Sequence, residues 1–241
     1  MIEIDRLTKK YKKLTALNQV SLKLSEDQSI ALIGPNGSGK STLMKCILGL
    51  VYAESGSIKI FGNEITSGGE YRDRIGYMPQ IIKFPENMKV YQLFKMVQDI
   101  RNRKTGFDTD LIDQFEINSF IKKPLGSLSG GMKQKVNAAL AFMFNPSILI
   151  LDEPTAGLDP LSAEILKEKI KQEKAKGKLI IISSHIMADL EEITSHVLYL
   201  IDGSNEFFKT PQTLFEETGT QNLSKAIAKI MSDINTGHEN N

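Results

Sequence analysis

Gly34-Pro35-Asn36-Gly37-Ser38-Gly39-Lys40-Ser41-Thr42 is the stretch on which the reading of this chain turns. It follows the apolar run Ile30-Ala31-Leu32-Ile33 and leads into Leu43-Met44-Lys45-Cys46-Ile47-Leu48. The run reads as a buried strand and the sequel as a helix. The pattern GxxxxGK[ST] therefore stands between a strand and a helix, where its chemistry needs it. Glycines let backbone N–H groups turn inward around an anion that a Cβ would keep away. The helix starting near Gly39 adds the positive end of its dipole. Lys40 is then placed to reach the outer phosphates of a nucleotide, and the Ser41 hydroxyl to ligate Mg²⁺. A plain Gly-rich turn before a helix is the alternative.

The bulk properties set the frame. The chain has 241 residues, 41% hydrophobic and 24% charged, which are ordinary globular values with ample material for a core. A formal net charge of +1 argues against nucleic acid held by bulk electrostatics. The single cysteine, Cys46, excludes an intrachain disulfide, fits a reducing compartment and reads as a small buried hydrophobe. No apolar run approaches the ~20 residues that span a bilayer. The N-terminus alternates apolar and charged residues like a strand, unlike a signal peptide. A soluble, cytoplasmic protein is expected.

Around the phosphate loop, Ile2–Leu7, Val20–Leu24 and Ile58–Gly62 read as short strands of a small antiparallel sheet, with Gly49 ending the loop's helix. Tyr11 is placed in a loop between the first two, where edge packing and stacking on a base are equally open. Ile75–Met78 is a further apolar run ending at Pro79-Gln80; the Gln80 amide is either a loop group or a partner for Mg²⁺ or an attacking water. Residues 87–124 are expected to be mostly helical and inserted into the strand-rich core. Leu128-Ser129-Gly130-Gly131-Met132 opens another helix, with Ser129 as N-cap. Two glycines in a first turn are not needed for capping, so the pattern implies that an anion approaches that backbone closely.

Ile148-Leu149-Ile150-Leu151 is a buried strand that delivers Asp152 and Glu153 at its C-terminal edge, the edge where ligands bind in a parallel α/β sheet. Asp152 suits a Mg²⁺ shell and Glu153 suits orienting or deprotonating a water. A tight loop through Asp159-Pro160 precedes a Lys/Glu-rich helix to about Lys176, read as a solvated face. Leu179–Ile182 is a second buried strand, and His185 just beyond it stands at the same edge as the two acids, which favours a functional histidine. Residues 212–232 are expected to be helical and the end from His238 disordered.

These elements, in this order, resemble the ATP-binding cassette (ABC) ATPase family over residues 1–210, with a helical part at about 87–145 and a C-terminal extension over 211–241. The resemblance implies an α/β fold of the P-loop NTPase type: a mostly parallel core sheet, an antiparallel β-subdomain and an inserted helical subdomain. It implies that Tyr11 stacks on adenine, that Gln80 is the Q-loop glutamine, that Glu153 is the general base and that His185 contacts the γ-phosphate; Ser41, Gln80 and Asp152 are the candidate Mg²⁺ ligands. It also implies that Ser129, Gly130 and Gly131 of one subunit close on ATP held by another, with Asp159 coupling the two sites. Met132 departs from the family, which usually carries glutamine there.

With no membrane span in the sequence, a transporter of this kind needs separate permease subunits, docking near Gln80 and Phe84–Val90 on the inner face of the membrane, with a periplasmic partner reached through them. Background residues are similar to the ABC-2 type and, more narrowly, to the ATPase of the copper-site assembly system of nitrous oxide reductase. Soluble family members acting on ribosome or DNA resemble paired cassettes or ones split by a coiled coil, unlike this chain. Intact Lys40, Asp152, Glu153 and His185 argue against a non-hydrolysing sensor.

Overall fold

The computed structural model describes residues 1–65 and 69–238, with the side chains of 188, 189 and 233–238 left aside. The expected disorder from His238 onward falls outside this description, apart from the helical backbone of that residue.

Strands β1 (Ile2–Tyr11) and β2 (Leu14–Leu24) form an antiparallel hairpin. β3 (Ser29–Ile33) leads through the phosphate loop to α1 (Lys40–Ile47), with left-handed Gly49 just past the helix end. β4 (Ser55–Ile60) and the short β5 (Asn63–Glu64) complete a four-stranded antiparallel sheet ordered β2-β1-β4-β5. β6 (Ile75–Met78) is followed by α2 (Val90–Ile100), α3 (Asp110–Gln114) and α4 (Gly130–Phe142) before β7 (Ile148–Asp152). α5 (Pro160–Ala175), β8 (Leu179–Ser183), α6 (Met187–Glu191), β9 (His196–Ile201), β10 (Ser204–Lys209), α7 (Pro211–Thr218) and α8 (Leu223–His238) complete the chain.

The second sheet has the order β10-β9-β3-β8-β7-β6, parallel throughout except for β10 at one edge. Every residue of β3, β7 and β8 is buried, as in strands covered on both faces. Alternation along β3 assigns the faces. Ile30 and Leu32 join a cluster with α1 and the antiparallel sheet, whereas Ala31 and Ile33 join one with Val136, Leu166 and Ile227 of the helices. Leu214, Leu223 and Ala226 belong to that second cluster, so α7 and α8 pack on the core. Cys46 is buried, and burial pushes its thiol up to about 11, in keeping with a packing role. Among the described residues no helix is long and apolar enough to cross a membrane.

Three expectations need correction, and one strand went unread. Tyr11 is not in a loop: it ends β1 and pairs with Leu14 across a two-residue turn. Residues 87–124 hold less helix than their apolar spacing suggested, because α2 stops at Ile100 and the chain regains only short helical turns beyond Gly106. β10 was missed, since its polar sequence Ser-Asn-Glu-Phe-Phe-Lys lies on an edge with little burial.

The charge run of α5 is not wholly solvated. Lys169 and Glu173 are 3% and 1% exposed. Lys169 Nζ lies 2.6 Å from Asp108 and 3.1 Å from Asp110, tying α5 to the start of α3, while Glu173 takes Lys176 and Lys178. Burial works to raise the Glu173 carboxyl, but the ammonium groups of Lys176 and Lys178 outweigh it and hold it below its ordinary value. Its contribution is therefore full above the unfolded carboxylate range and is lost as pH falls through the lowered folded value. Glu173→Gln, which leaves the buried Lys178 ammonium short of its charged partner, is expected to cost about 3 kcal/mol at neutral pH. Urea unfolding at a series of pH values should show that deficit closing below about pH 4.

Candidate functional site

Four parallel strands end at one edge, and each delivers part of a single cleft. The phosphate loop leaves β3, Gln80 lies just beyond β6, Asp152 and Glu153 close β7, and His185 follows β8. The cleft encloses about 270 Å³ and is walled by Asn36–Thr42, Gln80, the two acids and His185. Gly34 and Pro35 form the back of the loop and offer their carbonyls to the Lys40 ammonium at 2.7 and 3.0 Å. Burial pushes that ammonium down from its ordinary value, and the nearby Glu153 and Asp152 carboxylates oppose the shift.

The loop depends on one backbone conformation. Gly39 has φ +103°, and a Cβ there would stand 2.4 Å from the carbonyl oxygen of Ala16 on β2. Only glycine fits. That contact sets the phosphate loop against the antiparallel sheet, whose Tyr11, Leu14 and Ala16 also line the cleft. Tyr11 and Leu14 are 44% and 65% exposed, so their apolar surface is open to a ligand in the cleft. Ser38 Oγ, on the cleft wall, is buried with no hydrogen-bond partner among the described residues, so the loop holds unspent polar capacity.

The acids face different tasks. Asp152 Oδ2 lies 3.5 Å from Ser41 Oγ, and Asp152 Oδ1 accepts from Ser183 Oγ at 2.5 Å. Ser183 was not singled out from sequence; it stands opposite Asp152 in the β7–β8 register, which only strand pairing reveals. Among the described residues no three His, Cys, Asp or Glu side chains converge on a metal position. The donor set that fits Mg²⁺ is instead the hydroxyl–carboxylate pair of Ser41 and Asp152 with the Gln80 amide near, oxygen ligands suited to a hard cation that shares substrate phosphates. Adjacent Glu153 adopts φ +52°, an uncommon conformation for a non-glycine residue. Both Glu153 carboxylate oxygens meet His185: the backbone N–H donates at 3.2 Å and Nε2 lies at 3.3 Å.

Ser129, Gly130, Gly131 and Asp159 are not brought into this cleft. Ser129 is the N-cap of α4, its hydroxyl accepting from Met132 N–H at 3.3 Å. The two glycines differ. A Cβ on Gly130 would meet nothing within 4 Å, whereas one on Gly131 would stand 2.9 Å from the Gly157 carbonyl, so Gly131 has a packing reason within its own chain. Met132 lies partly buried against the core. Asp159 caps α5 by accepting from Ser162 N–H and Oγ at 2.9 and 2.6 Å, and Lys135 stands 3.3 Å away. The hydrogen bonds from Ser162 come first among the causes that lower its carboxyl to about 2.

Comparison with known proteins identifies the family. Residues 17–156 match the ABC transporter family. The lantibiotic transport ATP-binding protein SrtF of Streptococcus pyogenes is 35% identical over 225 residues, covering 93% of this chain and 95% of that one. The Nod factor export ATP-binding protein I of Burkholderia thailandensis is 28% identical, covering 89% of this chain and 72% of that protein. Among solved structures, an ATP-binding subunit of an ABC transporter superposes with a TM-score of 0.87 at 28% identity, covering 96% of this chain and 99% of that one. A dimeric bacterial ABC transporter cassette shares the fold, with a TM-score of 0.77 at 24% identity. The chain belongs to the ABC transporter family, as an ATP-binding, ATP-hydrolysing cassette of the P-loop type.

Proposed function

We propose that this chain is the ATPase subunit of an exporter, in which two copies clasp ATP between them and drive separate membrane-spanning permease subunits. The observation that carries the reading is that the cleft is one-sided. Lys40, Ser41, Gln80, Asp152, Glu153 and His185 share it, yet Ser129, Gly130 and Gly131 of the same chain stand outside. A volume of about 270 Å³ is at the small end for a ligand site and suits half of one. A second copy, turned head to tail, supplies the missing face with the positive end of its α4.

In this reading Tyr11 stacks on the adenine, the loop from Gly34 to Thr42 holds the phosphates, and Lys40 turns from its two carbonyls to the outer phosphate oxygens. Ser41, Asp152 and Gln80 hold Mg²⁺, which neutralises charge on the outer phosphates when bound. Glu153 accepts the proton of the attacking water, and His185 fixes the carboxylate while facing the outer phosphate. Asp159, next to the Gly157 carbonyl that packs on Gly131, is placed to carry the state of one site to the other.

Export is favoured by the relatives, described for lantibiotic transport and for Nod factor export. Neither those relatives nor any residue of the site speaks for copper-site assembly of nitrous oxide reductase, so that narrower reading is not carried forward. The permease is assigned to the surface around Gln80 and Phe84–Val90, where Ile81 and Tyr91 are 72% and 42% exposed. This places the chain on the cytoplasmic face of the membrane through its permease.

Two substitutions test the assignments. Glu153→Gln should keep its ATP affinity in calorimetry while turnover drops at least ~100-fold, the contribution of a positioned base. Retained turnover would remove Glu153 from the mechanism. Ser183→Ala frees one oxygen of Asp152 and should raise the Mg²⁺ concentration giving half-maximal ATPase by about tenfold, as loss of a supporting hydrogen bond does at other metal sites.

A further inference from the structure

We propose that Gln134 and Asn137, two buried amides on α4, are positioning residues that hold the backbone at Glu153 and beside Gln80 in register for hydrolysis. The inference rests on the site assignments proposed above and adds a connection that they lack.

Gln134 and Asn137 are each 4% exposed and stand three residues apart, on one face of the helix. Gln134 Nε2 donates to the Glu153 carbonyl at 3.3 Å and to the Pro154 carbonyl at 3.0 Å. Asn137 Nδ2 donates to the carbonyl of Pro79, the residue before Gln80, at 3.1 Å. One helix turn thus grips both backbone segments that lead into the cleft from β6 and β7.

The grip matters most at Glu153. A glutamate at φ +52° is uncommon and persists only where its surroundings hold it. From the β8 side, its N–H donates to the Ser183 carbonyl and hydroxyl, both at 3.1 Å. From the α4 side, its carbonyl and the next one accept from Gln134. The two sides together fix the peptide units on either side of the carboxylate. Without Gln134, the carbonyls lose their donor in a place that excludes water.

The helix that supplies the amides is tightly seated. A Cβ on Gly76 of β6 would stand 2.1 Å from the Ala141 carbonyl of α4, so helix and strand touch backbone to backbone. Lys135, between the two amides, reaches Asp159 at 3.3 Å. The N-terminus of α4 carries Ser129, Gly130 and Gly131. A shift of that end, when it meets the nucleotide of a partner copy, is passed through Gln134 and Asn137 to Glu153 and Gln80 of its own chain. The amides thereby link the half-site a chain completes for its partner to the half-site it holds itself.

The test uses the full chain. Gln134→Met keeps side-chain length and removes both donors; Asn137→Ala removes the other. Each should lower kcat at least about tenfold, with KM for ATP and ATP affinity by calorimetry within about twofold of the parent. Gln134→Glu, which turns a carboxylate toward two carbonyls, should lower kcat further than Gln134→Met. In a Glu153→Gln background, Gln134→Met should change the residual rate less than about twofold, since the group it positions is gone. The proposal is overturned if either single variant keeps its kcat within about twofold, or if kcat and ATP affinity fall in parallel. Asn137→Ala gives an independent reading should Gln134→Met melt near the assay temperature. A Gln134→Met chain at full rate beside an inactive Glu153→Gln chain refutes the positioning role alone; a fully active Glu153→Gln chain refutes the site assignment beneath it.

Discussion

Where β2 crosses the phosphate loop, two glycines leave no side chain between the strands. Gly39 and Gly203 both face the Ala16 carbonyl, and a Cβ on either would stand within 2.9 Å of it. The Gly203 N–H also donates to the Ser38 carbonyl at 3.2 Å, and its own carbonyl accepts from Asn18 N–H at 2.8 Å. Three distant segments are thus locked at backbone distance: the antiparallel sheet, the phosphate loop and the β9–β10 turn. This contact holds Tyr11 and Leu14 beside the phosphate loop, on the wall of the same cleft. The position of α1 follows, since it starts at Lys40 immediately after Gly39.

The rest of the site is built by strand ends instead of loop chemistry. Parallel strands buried on both faces have little freedom to shift, so the side chains just beyond β6, β7 and β8 arrive with fixed spacing. Residues that must hold charge sit there at the border of the core. Asp152 and Glu153 are 7% and 8% exposed, costly for carboxylates, and both are met by donors: the Ser183 hydroxyl on one and the His185 backbone N–H on the other. On the helical side, buried Lys169 ties α5 to Asp108 and Asp110 at the start of α3, and Glu173 holds Lys178 just beyond the end of α5.

What could be read in the sequence was what is local. The phosphate loop declares itself because its glycines, lysine and serine act within nine residues, and unbroken apolar runs such as Ile148–Leu151 mark strands buried on both faces. Capping by Ser129 was equally local. Features set by long-range register were hidden. Ser183 gains its role only by lying opposite Asp152 across two strands. Lys169 and Glu173 look like a solvated face until α5 is placed against Asp108. The polar β10 is recruited by its pairing with β9, and Tyr11 becomes a strand end only through Leu14. Gln134 and Asn137 sit among small and charged residues in a helix of weak amphipathic character, and nothing in the sequence announces that both amides turn inward.

The proposed site is divided between two copies, with ATP as the contact that joins them. Light scattering on the Glu153→Gln chain, with and without Mg²⁺ and ATP, tests this most directly. The expected result is a mass near the monomer value of 26.9 kDa without nucleotide, doubling when Mg²⁺ and ATP are added, and reverting when Ser129 is also replaced by arginine. A mass that stays monomeric at saturating ATP, while calorimetry shows the nucleotide bound, would contradict it.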